Sequence, residues 1–182
     1  MNQNLRFALA VVLVGIIAGA TGFGLYSYYN GKTFGGSDVA NQTLPAHIEL
    51  TDLDGHKHKF SEWRGHLLLI NFWATWCGPC RKEIPELAQA QTKYGSRGFQ
   101  IIGPAVDDPT AVRQEEKALG INYPVMVGTP EEMISLMNTL GNQPAGLPFS
   151  VLVSADGHII QRHLGEFDAT ELNTLIKQNL PG

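Results

Sequence analysis

Two cysteines three positions apart, Cys77 and Cys80, sit where an apolar run ends and a helical pattern begins. The run is Leu67-Leu68-Leu69-Ile70-Asn71-Phe72-Trp73, and the junction is Trp76-Cys77-Gly78-Pro79-Cys80. They are the only 2 cysteines in the 182-residue chain, so every sulfur able to form a disulfide lies in one short loop. That arrangement dictates a strand–loop–helix unit, and it points to redox exchange.

The chemistry follows from the helix start. Backbone N–H groups of a first helical turn have no intrahelical partner, and the summed peptide dipoles add positive charge there. A Cys77 thiolate gains from both, so its pKa is expected to fall below the free value of about 8.5. Pro79 suits the first turn, where its missing N–H is no loss. Gly78 leaves the approach to Cys77 clear of a side chain. Cys80, at i+3, shares the face of Cys77. Cys77 is thus expected as the exposed attacking sulfur and Cys80 as the recessed sulfur that resolves a mixed disulfide.

Competing uses of the pair fare worse. A structural bridge over four residues would remove little chain entropy. Zinc normally takes four Cys or His ligands, and no second pair exists. Covalent haem attachment needs His after the second cysteine, where Arg81 stands.

Around this unit, hydrophobic periodicity and turn residues lay out alternating strands and helices. Ile48–Leu53, Asp54-Gly55 and His56–Phe60 read as a hairpin. Leu67–Trp73 reads as a strand buried on both faces. A helix follows from about Pro79 to Tyr94, then a strand over Phe99–Val106 interrupted at Gly103-Pro104. Asp108-Pro109 opens a helix to Leu119, and Tyr123–Val127 is a short strand. Thr129-Pro130 opens a helix whose Met133, Leu136, Met137 and Leu140 recur at helical spacing. That stripe reads as core packing rather than a methionine copper site. Phe149–Ser154 and His158–Leu164 form a second hairpin, and Asp168 caps a last helix to Leu180. The order implies a central mixed sheet with helices on both faces. His56 and His58 alternate on a strand and read as surface histidines rather than a metal pair. No metal or other cofactor is called for.

The first 29 residues read as a signal-anchor. Phe7 to Leu25 is 19 residues without a charge, about 28 Å of helix and close to the bilayer's hydrocarbon thickness. Arg6 precedes it, and Tyr26, Tyr28 and Tyr29 follow as interfacial aromatics do. A cleaved signal peptide with Ala18-Gly19-Ala20 as its site is the competing reading; either way the remainder is exported. Residues 30–43, polar and glycine-rich, read as a flexible linker, and residues 44–182 as the folded domain. A formal net charge of −4, with no basic run, argues against nucleic acid as a partner.

Phe72-Trp73-Ala74-Thr75-Trp76-Cys77-Gly78-Pro79-Cys80-Arg81-Lys82-Glu83-Ile84-Pro85 closely resembles the thioredoxin superfamily, and within it the membrane-anchored, periplasmic TlpA/ResA-like proteins. The resemblance implies an α/β, thioredoxin-like fold: a central mixed β-sheet flanked by helices, an N-terminal β-hairpin extension and an N-terminal transmembrane helix. It also implies roles. Pro148, before the strand at Phe149, matches the family's cis-proline beside the cysteines. Leu147 there would offer backbone groups to an extended substrate segment. Pro85 matches a helix kink. Glu83 matches an acid kept near the cysteines, suited to handling protons; the other reading is a solvated helix glutamate. Trp76 is expected to shape the docking surface beside Cys77, and Trp73 to lie in the core. Asn71 stands where thioredoxin has a buried aspartate, and asparagine cannot act as a base.

Thiol–disulfide exchange at Cys77-Gly78-Pro79-Cys80 is therefore expected, with disulfides of exported proteins such as apocytochrome c or copper-delivery proteins reduced. The resemblance implies a membrane electron donor of the DsbD/CcdA type to reset the pair. Two alternatives stay open: an oxidant of the same fold, and a Cu(I)-binding module using the same thiolates.

Overall fold

A computed structural model describes residues 42–45 and 47–180. The segment 1–29 and residues 30–41 of the linker lie outside the described residues, so the anchor does too. Among the described residues no helix is long and apolar enough to cross a membrane.

The chain forms β1 (Glu49–Asp52), β2 (Lys57–Lys59), β3 (Leu67–Phe72), α1 (Gly78–Tyr94), β4 (Phe99–Pro104) and α2 (Pro109–Ala118), then β5 (Val125–Val127), α3 (Pro130–Thr139), β6 (Phe149–Val153), β7 (Ile159–Leu164) and α4 (Ala169–Asn179). A 3-10 turn at Phe60–Trp63 follows β2. One seven-stranded sheet runs β2-β1-β5-β4-β3-β6-β7. β3, β4 and β5 are parallel; the two hairpins join antiparallel, β1 to β5 and β6 to β3.

Side-chain alternation along β3 divides the core. Leu68, Ile70 and Phe72 pack with Val151 and Val153 of β6 and with Met133, Leu136 and Met137 of α3. Leu67 and Leu69 face the other way, onto Leu87, Ala90 and Tyr94 of α1 and Leu172 and Ile176 of α4. The methionine stripe is thus core, and β3, the strand that leads to the cysteines, is buried at every residue.

Helix starts follow local chemistry. Asp108 accepts the N–H groups of Thr110 and Ala111 to cap α2, and Asp168 those of Thr170 and Glu171 to cap α4. Thr129 and Glu132 form a reciprocal capping box on α3.

Two local expectations change. β4 does not run on to Val106 but ends at Pro104, and Gly103 and Pro104 still pair with Val125 and Met126. The proline ends the strand at the cost of one N–H, and the ladder resumes as Ala105 N–H donates to Met126 O at 2.8 Å. His56 lies outside β2, so the two histidines do not alternate on one strand. Contacts of the domain also begin before Leu44, where Ile159 N–H donates to Gln42 O at 2.9 Å and Thr43 bridges His158.

Candidate active site

β3 ends against the start of α1, and the turn between them delivers the cysteines. Cys77 N–H donates to Ala74 O at 3.1 Å, which closes that turn. Cys77 has extended backbone and is the N-cap of α1: its Sγ accepts the Cys80 N–H at 3.3 Å. Its carbonyl accepts the Arg81 N–H at 3.1 Å. The sulfur therefore sits at the positive end of a 17-residue helix, bonded to one of its unpaired donors. Cys77 and Cys80 form a disulfide, with Cα atoms 5.3 Å apart. In this oxidised state Cys77 is not the open sulfur expected: it is only 5% exposed, while Cys80 is sealed at 0%. Gly78 and Pro79 are exposed above them, and a Cβ on Gly78 would meet nothing within 4 Å.

Three segments surround the pair. Trp76 is 69% exposed, so it is no core residue; Trp73 is fully buried and points its Nε1–H at Gly103 O, 3.3 Å away. Thr75 is held by Asp107, whose carboxylate accepts both its N–H and its hydroxyl. Arg81 pairs with Glu115 of α2 at 2.5 Å and donates to Thr75 O at 3.3 Å. The Leu147–Pro148 bond is cis. Leu147 packs against the cluster that contains both cysteines, Trp73 and Ile84. Pro148 O accepts the Gly165 N–H at 2.9 Å. Asn142, 2% exposed, braces the approach: it donates to Gly146 O at 2.8 Å and accepts the Gly146 N–H at 3.3 Å.

Glu83 lies one turn beyond Cys80 on the buried face of α1, only 2% exposed. It is therefore not a solvated helix glutamate. Asn71 Nδ2 donates to its Oε1 at 2.7 Å, and the Phe167 N–H to its Oε2 at 2.9 Å. Burial pushes its carboxyl up to about 7, although these two hydrogen bonds favour the ionised form; the charge of Glu166 adds to the rise. A carboxyl so poised holds or releases a proton near neutrality. α1 continues through Pro85, whose ring faces solvent.

Comparison with known proteins matches this architecture. The Redoxin family model covers residues 39–176. The chain belongs to the redoxin family. The thiol-disulfide oxidoreductase ResA of Bacillus cereus is 33% identical over the full length of both chains. That of Bacillus subtilis is 25% identical over 86% of each. A thiol:disulfide interchange protein of the thioredoxin family from Chlorobium tepidum superposes with a TM-score of 0.70 at 31% identity. That match spans 80% of this chain and 100% of the other. This redoxin is accordingly a ResA-like member of the thioredoxin superfamily and a thiol-disulfide oxidoreductase with a redox-active Cys77–Cys80 disulfide.

Four residues of the redoxin's site carry no motif in the sequence: Ser150, Asn142, Phe167 and Leu164. Ser150 touches Asn71 through its hydroxyl, and Leu164 lies against Gly146, where an added Cβ would come within 3.0 Å of it. His56 and His58 lie apart from the cysteines' cluster, at the β1–β2 hairpin. His58 contacts Asp52 at 3.1 Å and Glu62 at 2.9 Å, and His56 contacts Asp52 at 3.2 Å. Among the described residues no group of three or more His, Cys, Asp and Glu side chains could hold a metal ion.

Proposed function

We propose that this protein reduces disulfides of exported proteins, with Cys77 as nucleophile and Cys80 as resolving thiol. The observation that carries the assignment is the asymmetry of the pair. Cys77 Sγ takes the Cys80 N–H at the helix start, and only Cys77 has any opening to solvent. In the reduced protein that N–H and the helix dipole favour the Cys77 thiolate.

The electrons balance as follows. The Cys77 thiolate attacks one sulfur of a substrate disulfide, forming a mixed disulfide and expelling a substrate thiolate. Cys80 gives up its proton and attacks Cys77 Sγ. The second substrate thiolate leaves, and Cys77–Cys80 is oxidised. Two electrons pass to the substrate, whose sulfurs take up two protons. Glu83, behind Cys80, accepts the Cys80 proton; a carboxyl near 7 suits that transfer at neutral pH. A dithiol donor of the DsbD/CcdA type in the membrane would return two electrons.

Docking uses the rim. Among the described residues neither the N–H nor the C=O of Leu147 forms a hydrogen bond, so both are free for an extended substrate segment beside Pro148. Trp76, next to Cys77 in the chain, supplies exposed aromatic surface. The uncharged span Phe7–Leu25 supports a single N-terminal anchor in the inner membrane with the domain in the periplasm. Apocytochrome c or copper-delivery proteins are the substrates this reading favours.

Trapping tests it. Cys80→Ser, made in the full chain, should accumulate mixed disulfides through Cys77 that dithiothreitol releases, and mass spectrometry of the trapped partners names the substrates. Mixed disulfides that accumulate with Cys77→Ser instead would reverse the two roles.

A further inference from the structure

Asn71 is fully buried on β3, and Ser150, 1% exposed, is its cross-strand partner on β6. One nitrogen, Asn71 Nδ2, donates to both Glu83 Oε1 at 2.7 Å and Ser150 Oγ at 3.0 Å. The other end of the same amide, Oδ1, is buried with no partner among the described residues. A buried amide oxygen left unpaired calls for a physical reason. The two groups that share Nδ2 supply one.

An ionised carboxylate only accepts hydrogen bonds, and the arrangement described suits it: both amide hydrogens are spent, one on Glu83 and one on Ser150. Once Glu83 takes a proton, its carboxyl can also donate. The Ser150 hydroxyl can donate or accept by rotation. We propose that Asn71 and Ser150 are positioning residues for Glu83. The Asn71 carboxamide turns over as Glu83 gains its proton, so that Oδ1 replaces Nδ2 and accepts from both the Glu83 and the Ser150 hydroxyls. Half a turn about one bond converts a double donor into a double acceptor at nearly the same point in space. The far end of the amide, Oδ1, meets no donor among the described residues, so no hydrogen bond there holds the amide in one orientation, and the state of Glu83 decides which is adopted. An ionised aspartate at position 71 would accept only and would set a second charge beside Glu83; a leucine would do neither.

The other groups around Glu83 do not duplicate this. The Phe167 N–H on Oε2 is a fixed donor that always favours the carboxylate. Glu166 in the same loop opposes ionisation, and the His163 ring is stacked on Phe167 at 4.0 Å. Tyr123 has a hydroxyl without a partner among the described residues; burial disfavours its ionisation, and the negative charge of Glu83 adds to that. On α1 itself the nearest ionisable group one turn back is Cys80, which does not titrate while it is in the disulfide. Of the side chains hydrogen-bonded to Glu83 or to its partner, the Asn71–Ser150 pair can reverse its polarity.

This inference rests on the reading of Glu83 as the proton acceptor of the exchange, and the test separates the two. In the oxidised full chain in detergent micelles, the Asn71 side-chain amide resonances are followed by NMR against pH, together with the Glu83 carboxyl carbon. Both are expected to move with one midpoint, the amide protons losing their hydrogen-bonded shift as Glu83 protonates, and the movement should vanish in Glu83→Gln. Asn71→Leu takes away the donor to the ionised form and the acceptor for the protonated form together, so the Glu83 midpoint should move by well under one unit, whereas loss of a fixed donor alone would raise it by about a unit, tenfold in proton affinity. Asn71→Asp, which keeps the shape, should raise it, by charge repulsion. An Asn71 amide that stays still through the Glu83 midpoint overturns the proposal, as does a rise of a full unit in Asn71→Leu. The pH profile of insulin reduction is recorded alongside. If Glu83→Gln leaves that profile intact while the wild-type amide still follows Glu83, the proton role falls and the amide's turnover stands.

Discussion

The backbone N–H of Phe167 donates to Glu83 Oε2 across 2.9 Å, although 84 positions separate the two residues. The contact joins the loop before α4 to the turn of helix that follows the disulfide. It holds one carboxylate oxygen while Asn71 holds the other; burial outweighs both bonds and puts the carboxyl at about 7.

That value has a consequence for stability. The Glu83 carboxyl rises from an ordinary value of 4.5 to about 7, so the folded protein binds this proton more tightly than the unfolded chain does. Its contribution is fully present below pH 4.5 and is lost as pH rises through about 7. The shift corresponds to about 3 kcal/mol. Urea denaturation of the oxidised protein at pH 5 and pH 8, compared with Glu83→Gln, should show the variant gaining on the wild type by roughly that amount at the higher pH. A constant difference between the two proteins would mean the carboxyl is not poised near neutrality.

Much of this architecture is legible locally. The unbroken apolar run Leu67–Phe72 announces a strand covered on both faces, and Asp108, Thr129 and Asp168 announce three helix starts. The cysteines announce themselves, because their chemistry depends on a helix start only a few residues away. Pro104 does end its strand, and what a local reading misses is that Gly103 and Pro104 still pair with β5, because the last residue of a strand tolerates a missing N–H. His56 misleads because it falls in the turn, outside the strand. The contacts that shape Glu83 are not legible at all. Ser150 lies 79 positions from Asn71, and only the pairing of β6 with β3 brings them together. Spacing along the chain encodes neighbours within an element, not which elements become neighbours.

Asn142 should matter to substrate binding without touching substrate. Its amide satisfies both backbone groups of Gly146, two residues ahead of Pro148. Asn142→Ala leaves those groups unpaired in a half-buried loop, a loss of about 1–3 kcal/mol. We expect a lower urea midpoint and a raised KM for insulin disulfides, with kcat little changed. Equal falls in kcat and kcat/KM would place the residue in the chemistry instead.

His58 should hold its proton above the usual histidine range. Glu62 and Asp52 face its two ring nitrogens at 2.9 and 3.1 Å, which only the doubly protonated ring can satisfy at once. These bonds, with those from His56 and the backbone, hold Asp52 down to about 2 even though partial burial works against it. A raised histidine pKa contributes stability below about 6.5 that fades as pH climbs through the folded value. The His58 Hε1 signal should therefore titrate above 6.5, and Glu62→Gln should lower its midpoint more than Asp52→Asn does. A midpoint at or below 6.5 would show that the ring is not clamped by both acids.

Trp76 tests whether the rim recognises protein. At 69% exposure its indole supports little of the fold, so Trp76→Ala should change stability by no more than about 0.5 kcal/mol. An aromatic anchor at a docking surface contributes more when a partner covers it. A loss of about 1–2 kcal/mol, five- to thirtyfold, is expected in kcat/KM for reduction of a protein disulfide. A small disulfide such as oxidised glutathione reaches Cys77 with far less contact at the rim, so its rate should hardly move. If both substrates slow by the same factor, the indole acts on the sulfur chemistry, and the docking role assigned to it is wrong.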